Sequence, residues 1–254
     1  MTHLRSIAVA AALGLLLVLS ATEATTAAAP KLRGYDISWP QCGAAYPTSA
    51  AFGIVGVNKG IVFSANPCLA SEIKWAGGAG ASLYANTGNP GPALSTHWPS
   101  GQTTPRWCDP GNLDTADCAY DYGYNAAANS YAAAVSAYSQ LGLAGTPAGS
   151  AWWLDVETSN SWRSTTALNV AALQGEARYL VSVAHVRSLG VYSTQYQWNV
   201  ITAGSGAFSA YHGWVAGVGS QKNAASHCAG VGFTGGGVEL AQFAYGGFDA
   251  DLRC

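Results

Sequence analysis

Ala151-Trp152-Trp153-Leu154-Asp155-Val156-Glu157-Thr158 is an apolar run that closes on two acids. An apolar run without polar alternation reads as a strand buried on both faces, as in a parallel sheet covered by helices. Side chains alternate along a strand, so Asp155 and Glu157 share one face, with Cα atoms ~6.6 Å apart. Burying acids is costly, which makes this pair a candidate site rather than a solvated strand end.

Outward from that run, short apolar stretches predict further strands at Gly34–Ser38, Phe52–Asn58, Ala81–Asn86, Gly190–Ser193, Tyr211–Ala216, Gly230–Phe233 and Val238–Phe243. Helical patterns fall at Leu69–Gly77, Asn125–Leu141 and Ala167–Leu189. In the second, Tyr124, Tyr131 and Tyr138 recur at heptad spacing and read as a core-facing seam. In the third, Thr165 or Thr166 supplies a cap, and Leu168, Ala172, Leu173, Leu180 and Val183 supply apolar positions. This alternation predicts an α/β protein, a single-domain irregular (β/α) TIM-like barrel stapled by disulfides. Thr87–Tyr124 breaks the pattern with Pro90, Pro92, Pro99, Pro105, Pro110, Cys108 and Cys118. A loop of that length is either functional or tied down. Barrel active sites lie at the carboxyl ends of the strands, where Asp155 and Glu157 fall. Asp36 lies in the first strand candidate, and Asp249 and Asp251 lie just beyond the last. Closure of the barrel would bring all of them to one mouth.

Composition narrows the function. Of 254 residues only 9% are charged and 49% are hydrophobic, and 11 Lys+Arg against 13 Asp+Glu leave a net charge of -2. That excludes the basic surface of a nucleic-acid binder, a polybasic membrane face and a disordered chain. Residues 1–29 read as a secretory signal peptide: Arg5, the apolar run Ile7–Leu19, then Ala27-Ala28-Ala29. The run is short of the ~20 residues a spanning helix needs, which leaves residues 30–254 as the barrel domain. Cys42, Cys68, Cys108, Cys118, Cys228 and Cys254 contain no Cys-x-x-Cys and suggest disulfides in an exported protein. Six cysteines allow ~15 connectivities; loop closure favours Cys42–Cys68, Cys108–Cys118 and Cys228–Cys254. Gly230-Val231-Gly232-Phe233-Thr234-Gly235 matches a dinucleotide fingerprint by letter. It lacks the following helix and distant acid, so it reads as a Gly-rich turn. No esterase elbow or zinc-protease motif occurs, and neither metal nor cofactor is expected. Trp39, Trp98, Trp107, Trp162 and Trp198 are candidates to line a sugar groove.

Several motifs follow one another in a recognisable order. They are Gly34-Tyr35-Asp36-Ile37-Ser38, Phe52-Gly53-Ile54-Val55-Gly56-Val57-Asn58-Lys59-Gly60, Leu154-Asp155-Val156-Glu157, Gly190-Val191-Tyr192-Ser193, Trp214-Val215-Ala216, Ala241-Gln242-Phe243 and Asp251-Leu252. The succession resembles glycoside hydrolase family 25, lysozyme-type muramidases on an irregular (β/α) barrel. The resemblance implies a secreted or cell-wall-associated monomer that cuts β-1,4 bonds of peptidoglycan. It binds a polysaccharide, with no nucleic-acid partner and no membrane association after processing. It makes Glu157 the general acid and Asp155 the neighbour that sets its pKa and assists the substrate acetamido group. Asp36 and Asp251 complete an acidic ring, with Asp249 a close alternative to Asp251. Tyr84, Asn86, Tyr192, Trp214, Gln242 and Asp249 fall on the substrate side. Asn58-Lys59-Gly60 is shorter than the family's Lys-Ala-Thr-Glu-Gly, and Leu83-Tyr84-Ala85-Asn86 replaces its Tyr-His-Phe type of strand. These departures motivate an alternative, a catalytically inactive barrel that binds cell-wall or other surface glycan. The family 18 chitinase pattern Asp-x-x-Asp-x-Asp-x-Glu is not met, because Ser150 and Trp153 occupy its first two Asp positions.

Overall fold

A computed structural model describes residues 32–254; the expected leader, residues 1–29, lies outside them. Eight strands alternate with helices: β1 (Arg33–Ile37), β2 (Gly53–Gly56), β3 (Ser82–Asn86), β4 (Ala151–Asp155), β5 (Ser188–Ser193), β6 (His212–Val215), β7 (Val238–Tyr245) and β8 (Phe248–Arg253). They close into a barrel in sequence order. Neighbours from β1 to β7 run parallel, whereas β8 pairs antiparallel with both β7 and β1. The barrel is therefore of the irregular (β/α) type.

The last strand corrects the sequence reading. Gly230–Phe233 is a turn closed by an isolated bridge from Val231 to Gly237, and the eighth strand is Phe248–Arg253. A two-residue hairpin, Gly246-Gly247, makes that strand, with φ of 64° and 82° that favour glycine. Its pattern is inverted for a strand with an apolar interior. Ala250 and Leu252 pack outward in an apolar cluster with Tyr35 and Phe243, while the acids take the alternate face. Asp249 and Asp251 thus sit within the closing strand rather than beyond it.

The helices are α1 (Leu69–Trp75), α2 (Ala116–Gln140), α3 (Thr166–Ser182), α4 (Gln195–Thr202) and α5 (Gln221–His227). Helix α2 begins earlier than Asn125 because Thr115 caps it, its hydroxyl accepting from the Cys118 amide at 3.2 Å. The proline-bearing loop therefore ends at Thr115. Helix α3 stops at Ser182, ahead of His185 in the left-handed region, and Ser188 and Leu189 belong to β5. Helices α4 and α5 are too short for periodicity to reveal. Thr194 and Ser220 cap them through the Gln197 and Asn223 amides.

Two apolar layers hold the barrel. Trp152, Leu154, Val156, Leu83 and Val191 face out against helical residues such as Leu173 and Tyr138. Ile54, Trp153, Trp214 and Leu240 fill the interior. The interior rings fit because strand positions opposite them lack a Cβ: one on Gly190 would collide with the Trp153 ring, and one on Gly56 would lie 2.5 Å from Tyr84. Disulfides join Cys42–Cys68, Cys108–Cys118 and Cys228–Cys254. Among the described residues no helix is long and apolar enough to cross a membrane.

Candidate active site

The interior plug is the floor of a cavity of about 220 Å³ at the carboxyl ends of the strands, lined by Asp36, Tyr84, Asp155, Glu157, Tyr192, Trp214, Gln242 and Asp249. Period-two alternation brings them there. Asp36, Tyr84, Asp155, Tyr192 and Gln242 each occupy the inward phase of their strand, and register sets them side by side: Asn86 opposite Asp155, Asp155 opposite Tyr192, Tyr192 opposite Trp214. Trp214 is the hub of the floor, with edge-on contacts to Trp153 at 5.7 Å, Tyr84 at 6.1 Å and Tyr192 at 4.5 Å.

Asp155 is 4% exposed. Its Oδ2 accepts from Asn86 Nδ2 at 2.5 Å, and its carbonyl accepts from the Thr87 amide, the Thr87 hydroxyl and Asn160 Nδ2. Oδ1 is buried and receives no N–H or hydroxyl donor, and the neighbouring Glu157 carboxyl acts on this side chain. Burial pushes Asp155 well above the usual carboxylate range, and the Glu157 and Asp36 charges push it further. Glu157 lies just past β4 and is more open to the cavity. Burial raises its carboxyl first, while hydrogen bonds from Asp155 and Gln197 pull the other way. Trp162 Nε1 donates to the Glu157 carbonyl at 2.7 Å and fixes the chain beneath it.

A second carboxyl pair stands across the cavity. Gln242 Nε2 donates to Asp36 Oδ2 at 2.9 Å, and Gln242 Oε1 accepts from the Tyr192 hydroxyl at 2.8 Å. Asp36 also acts on Asp251, whose Oδ1 accepts from Trp214 Nε1 at 2.7 Å and whose buried Oδ2 has no N–H or hydroxyl donor. Burial pushes Asp36 up to about 7, with the Asp249 charge adding to the rise. Asp251 is raised well above its usual range, again chiefly by burial. Asp249 pairs across the strands with Asp36 and stands exposed at the rim. Partial burial raises its carboxyl too. The two C-terminal acids therefore differ in place: Asp249 lines the cavity, while Asp251 is fully buried behind Asp36. Asn86 is likewise behind the wall, steadying Asp155.

Thr87, Asn160 and Gln197 were not singled out from sequence. Thr87 and Asn160 are polar loop residues beside the acids, and Gln197 rides on α4, which periodicity does not reveal. Gln197 Oε1 also accepts from the Thr158 amide at 2.6 Å, so it ties the Glu157 loop to that helix. Of the tryptophans considered for a groove, Trp198 is fully buried in the core against Phe208, whereas Trp39 and Trp107 are exposed. Among the described residues no group of His, Cys, Asp and Glu is arranged to hold a metal ion.

Fold and site together define a (β/α) barrel that gathers buried carboxyls, raised above their usual range, at its mouth. Solved structures with this architecture include a muramidase from Trichobolus zukalii, 19% identical over 88% of this chain and 93% of that one, with a TM-score of 0.52. A family GH25 lysozyme from Aspergillus fumigatus is 15% identical, covering 88% and 94%, with a TM-score of 0.53. A muramidase from Acremonium alcalophilum is 14% identical with the same coverage and a TM-score of 0.52. The chain thus has a GH25-like fold. No protein-family model matches the sequence, and no curated protein matches it.

Proposed function

We propose that this protein is an exported, monomeric glycoside hydrolase that cuts β-1,4 bonds in bacterial peptidoglycan, with Glu157 as general acid. The observation that carries this reading is the Asp155–Glu157 pair lining one cavity, raised by burial so that it keeps a proton where isolated carboxyls have lost theirs. Glycosidic cleavage needs a carboxylic acid at the leaving oxygen and a carboxylate near the sugar ring. Glu157 is the more open member and donates its proton to the leaving-group oxygen. The C–O bond breaks with its electrons going to that oxygen. Positive charge then develops at the anomeric carbon, and Asp155, held by Asn86, orients the acetamido group toward it. A water completes hydrolysis and returns a proton to Glu157. Asp36, backed by Asp251 and oriented by Gln242, faces the ring from the other wall. Tyr84, Tyr192 and Trp214 present aromatic surface to the sugar, and Asp249 stands at the rim. Three disulfides suit an oxidising, extracellular setting.

The bond cut is read from the products. Digestion of purified peptidoglycan, borohydride reduction and mass spectrometry should find reduced N-acetylmuramic acid at the new ends. Reduced N-acetylglucosamine there would overturn the muramidase assignment, and binding without any release would make the barrel a glycan-binding protein.

A further inference from the structure

Asn58, just past β2, is 1% exposed, and the hydrolytic steps above use none of its atoms. Buried polar side chains need partners, and those of Asn58 lead to the acid pair. The β2–β3 ladder runs on beyond the strand, the Val57 amide donating to the Tyr84 carbonyl at 2.9 Å. The next rung of a parallel ladder would join the Asn86 amide to the Val57 carbonyl. Here that carbonyl accepts from the Asn66 amide at 3.3 Å. Asn58 Oδ1 takes over the rung and accepts from the Asn86 amide at 3.0 Å. Asn86 Nδ2 in turn donates to Asp155 Oδ2.

We propose that Asn58 is a positioning residue for Asp155, acting through Asn86 as part of a buried hydrogen-bonded chain anchored on α2. The proposal rests on the glycosidase reading above and deepens it. Asn58 Nδ2 donates to the Ser130 hydroxyl on α2 and to the Ser64 carbonyl, both at 3.2 Å. With both donor positions spent, the amide can turn only its oxygen to Asn86. Ser130, Asn58, Asn86 and Asp155 are each at most 7% exposed, in surroundings where hydrogen bonds hold most firmly. A side chain, and not a backbone rung, therefore sets where Asn86 sits.

The Asn86 bond matters because the other surroundings oppose an ionised Asp155. Burial, Glu157 and Asp36 on β1 raise the Asp155 carboxyl, whereas the bond from Asn86 lowers it. Tyr84 on β3, Tyr192 on β5 and Glu176 on α3 also face its charge. A displaced Asn86 therefore leaves Asp155 both misplaced and harder to ionise. Neither Asn58 nor Asn86 lines the cavity, so their effect reaches the sugar only through Asp155. Displacing a reacting group by about 1 Å can cost on the order of 100-fold in rate.

Carbon-13 NMR of aspartate-labelled protein, in the Glu157→Gln background, follows the Asp155 carboxyl without its titrating neighbour. Asn58→Leu, close in volume but without an acceptor, should raise its midpoint by about one pH unit, the worth of one hydrogen bond. Asn86→Ala should do the same, and the double variant should go no higher than Asn86→Ala alone. A midpoint unmoved by Asn58→Leu, or two shifts that add, overturns the proposal, since a purely structural Asn58 would change stability alone. Ser130→Ala removes one hydroxyl and should move the midpoint the same way by less. If circular dichroism shows that Asn58→Leu does not fold, Ser130→Ala decides, and an unmoved midpoint overturns the proposal. In the otherwise wild-type chain, Asn58→Leu should lower kcat about 10- to 100-fold with KM unchanged; an active enzyme whose kcat it leaves intact also overturns the proposal. A moved midpoint in a protein whose wild type releases no reducing ends sinks the glycosidase reading and spares the link from Asn58 to Asp155. Release by wild type with an unmoved midpoint sinks the link and spares the glycosidase.

Discussion

Asp36, Asp155, Glu157, Asp249 and Asp251 converge on one barrel mouth, and no Lys or Arg lines the cavity they surround. With no cation to offset the charge, burial and the neighbouring carboxylates push Asp155 and Asp251 well above the usual carboxylate range. Glu157→Gln keeps the shape and removes the transferable proton; kcat should fall about 10³-fold, within the range for a lost general acid, with the melting temperature unlowered. Because both members of the Asp155–Glu157 pair are raised, activity should persist above the usual carboxylate range near pH 4 and decline as the pair loses its proton. A pH–rate profile checks this, its limbs belonging to the pair rather than to either residue. Loss of activity centred near pH 4 would contradict it. The acids were legible in the sequence because a charge at an apolar strand end stands out. Thr87, Asn160 and Gln197 were not, since a neutral polar residue in a loop or on a short helix looks like any solvated one.

At the scale of elements, the closest packing joins α2 to α3. A Cβ on Gly175 would collide with the Tyr120 carbonyl, and one on Gly123 with the Ala172 carbonyl. Gly175→Ala gains up to about 1 kcal/mol of helix propensity but drives one helix backbone from the other, and overpacking costs about 1–3 kcal/mol. The clash is with backbone, which yields least, so a net loss of about 1–2 kcal/mol is expected from urea denaturation. An unchanged or higher midpoint would show that the helices separate freely. Strands β2, β3, β4 and β6 lie within the apolar runs that predicted them, whereas β1 begins one residue and β5 two residues earlier. Strand β8 escaped because its inward face is acidic, which is the chemistry of the site overriding the pattern of a core strand. The early start of α2 escaped for a related reason, since Thr115 caps it from inside a loop that prolines and cysteines mark as irregular.

Over the whole molecule, the raised acids should govern stability. Asp36 and Glu72 lie at about 7 and Asp121 at about 6 in the folded protein, all raised chiefly by burial. Unfolded carboxyls lie near 4, so between these values the folded state binds more protons. Stability is then fully present below about pH 4 and is lost as pH rises through 6 to 7. The melting temperature should be higher at pH 5 than at pH 8, by on the order of 5 °C, and Asp36→Asn should flatten the difference; calorimetry giving the opposite order would refute the assignment of buried protons. Seven of the eight barrel strands were legible as candidates, whereas β8 and its junction with β1 and β7, which makes one mouth of separate acids, were visible only in three dimensions. The most direct test of the central claim is reducing-end release from purified peptidoglycan by the mature protein, residues 30–254, beside Glu157→Gln. Release by the wild type and none by the variant is the result predicted. Equal release by both would remove Glu157 from the mechanism, and silence from both would leave the acid cluster without a glycosidase to serve.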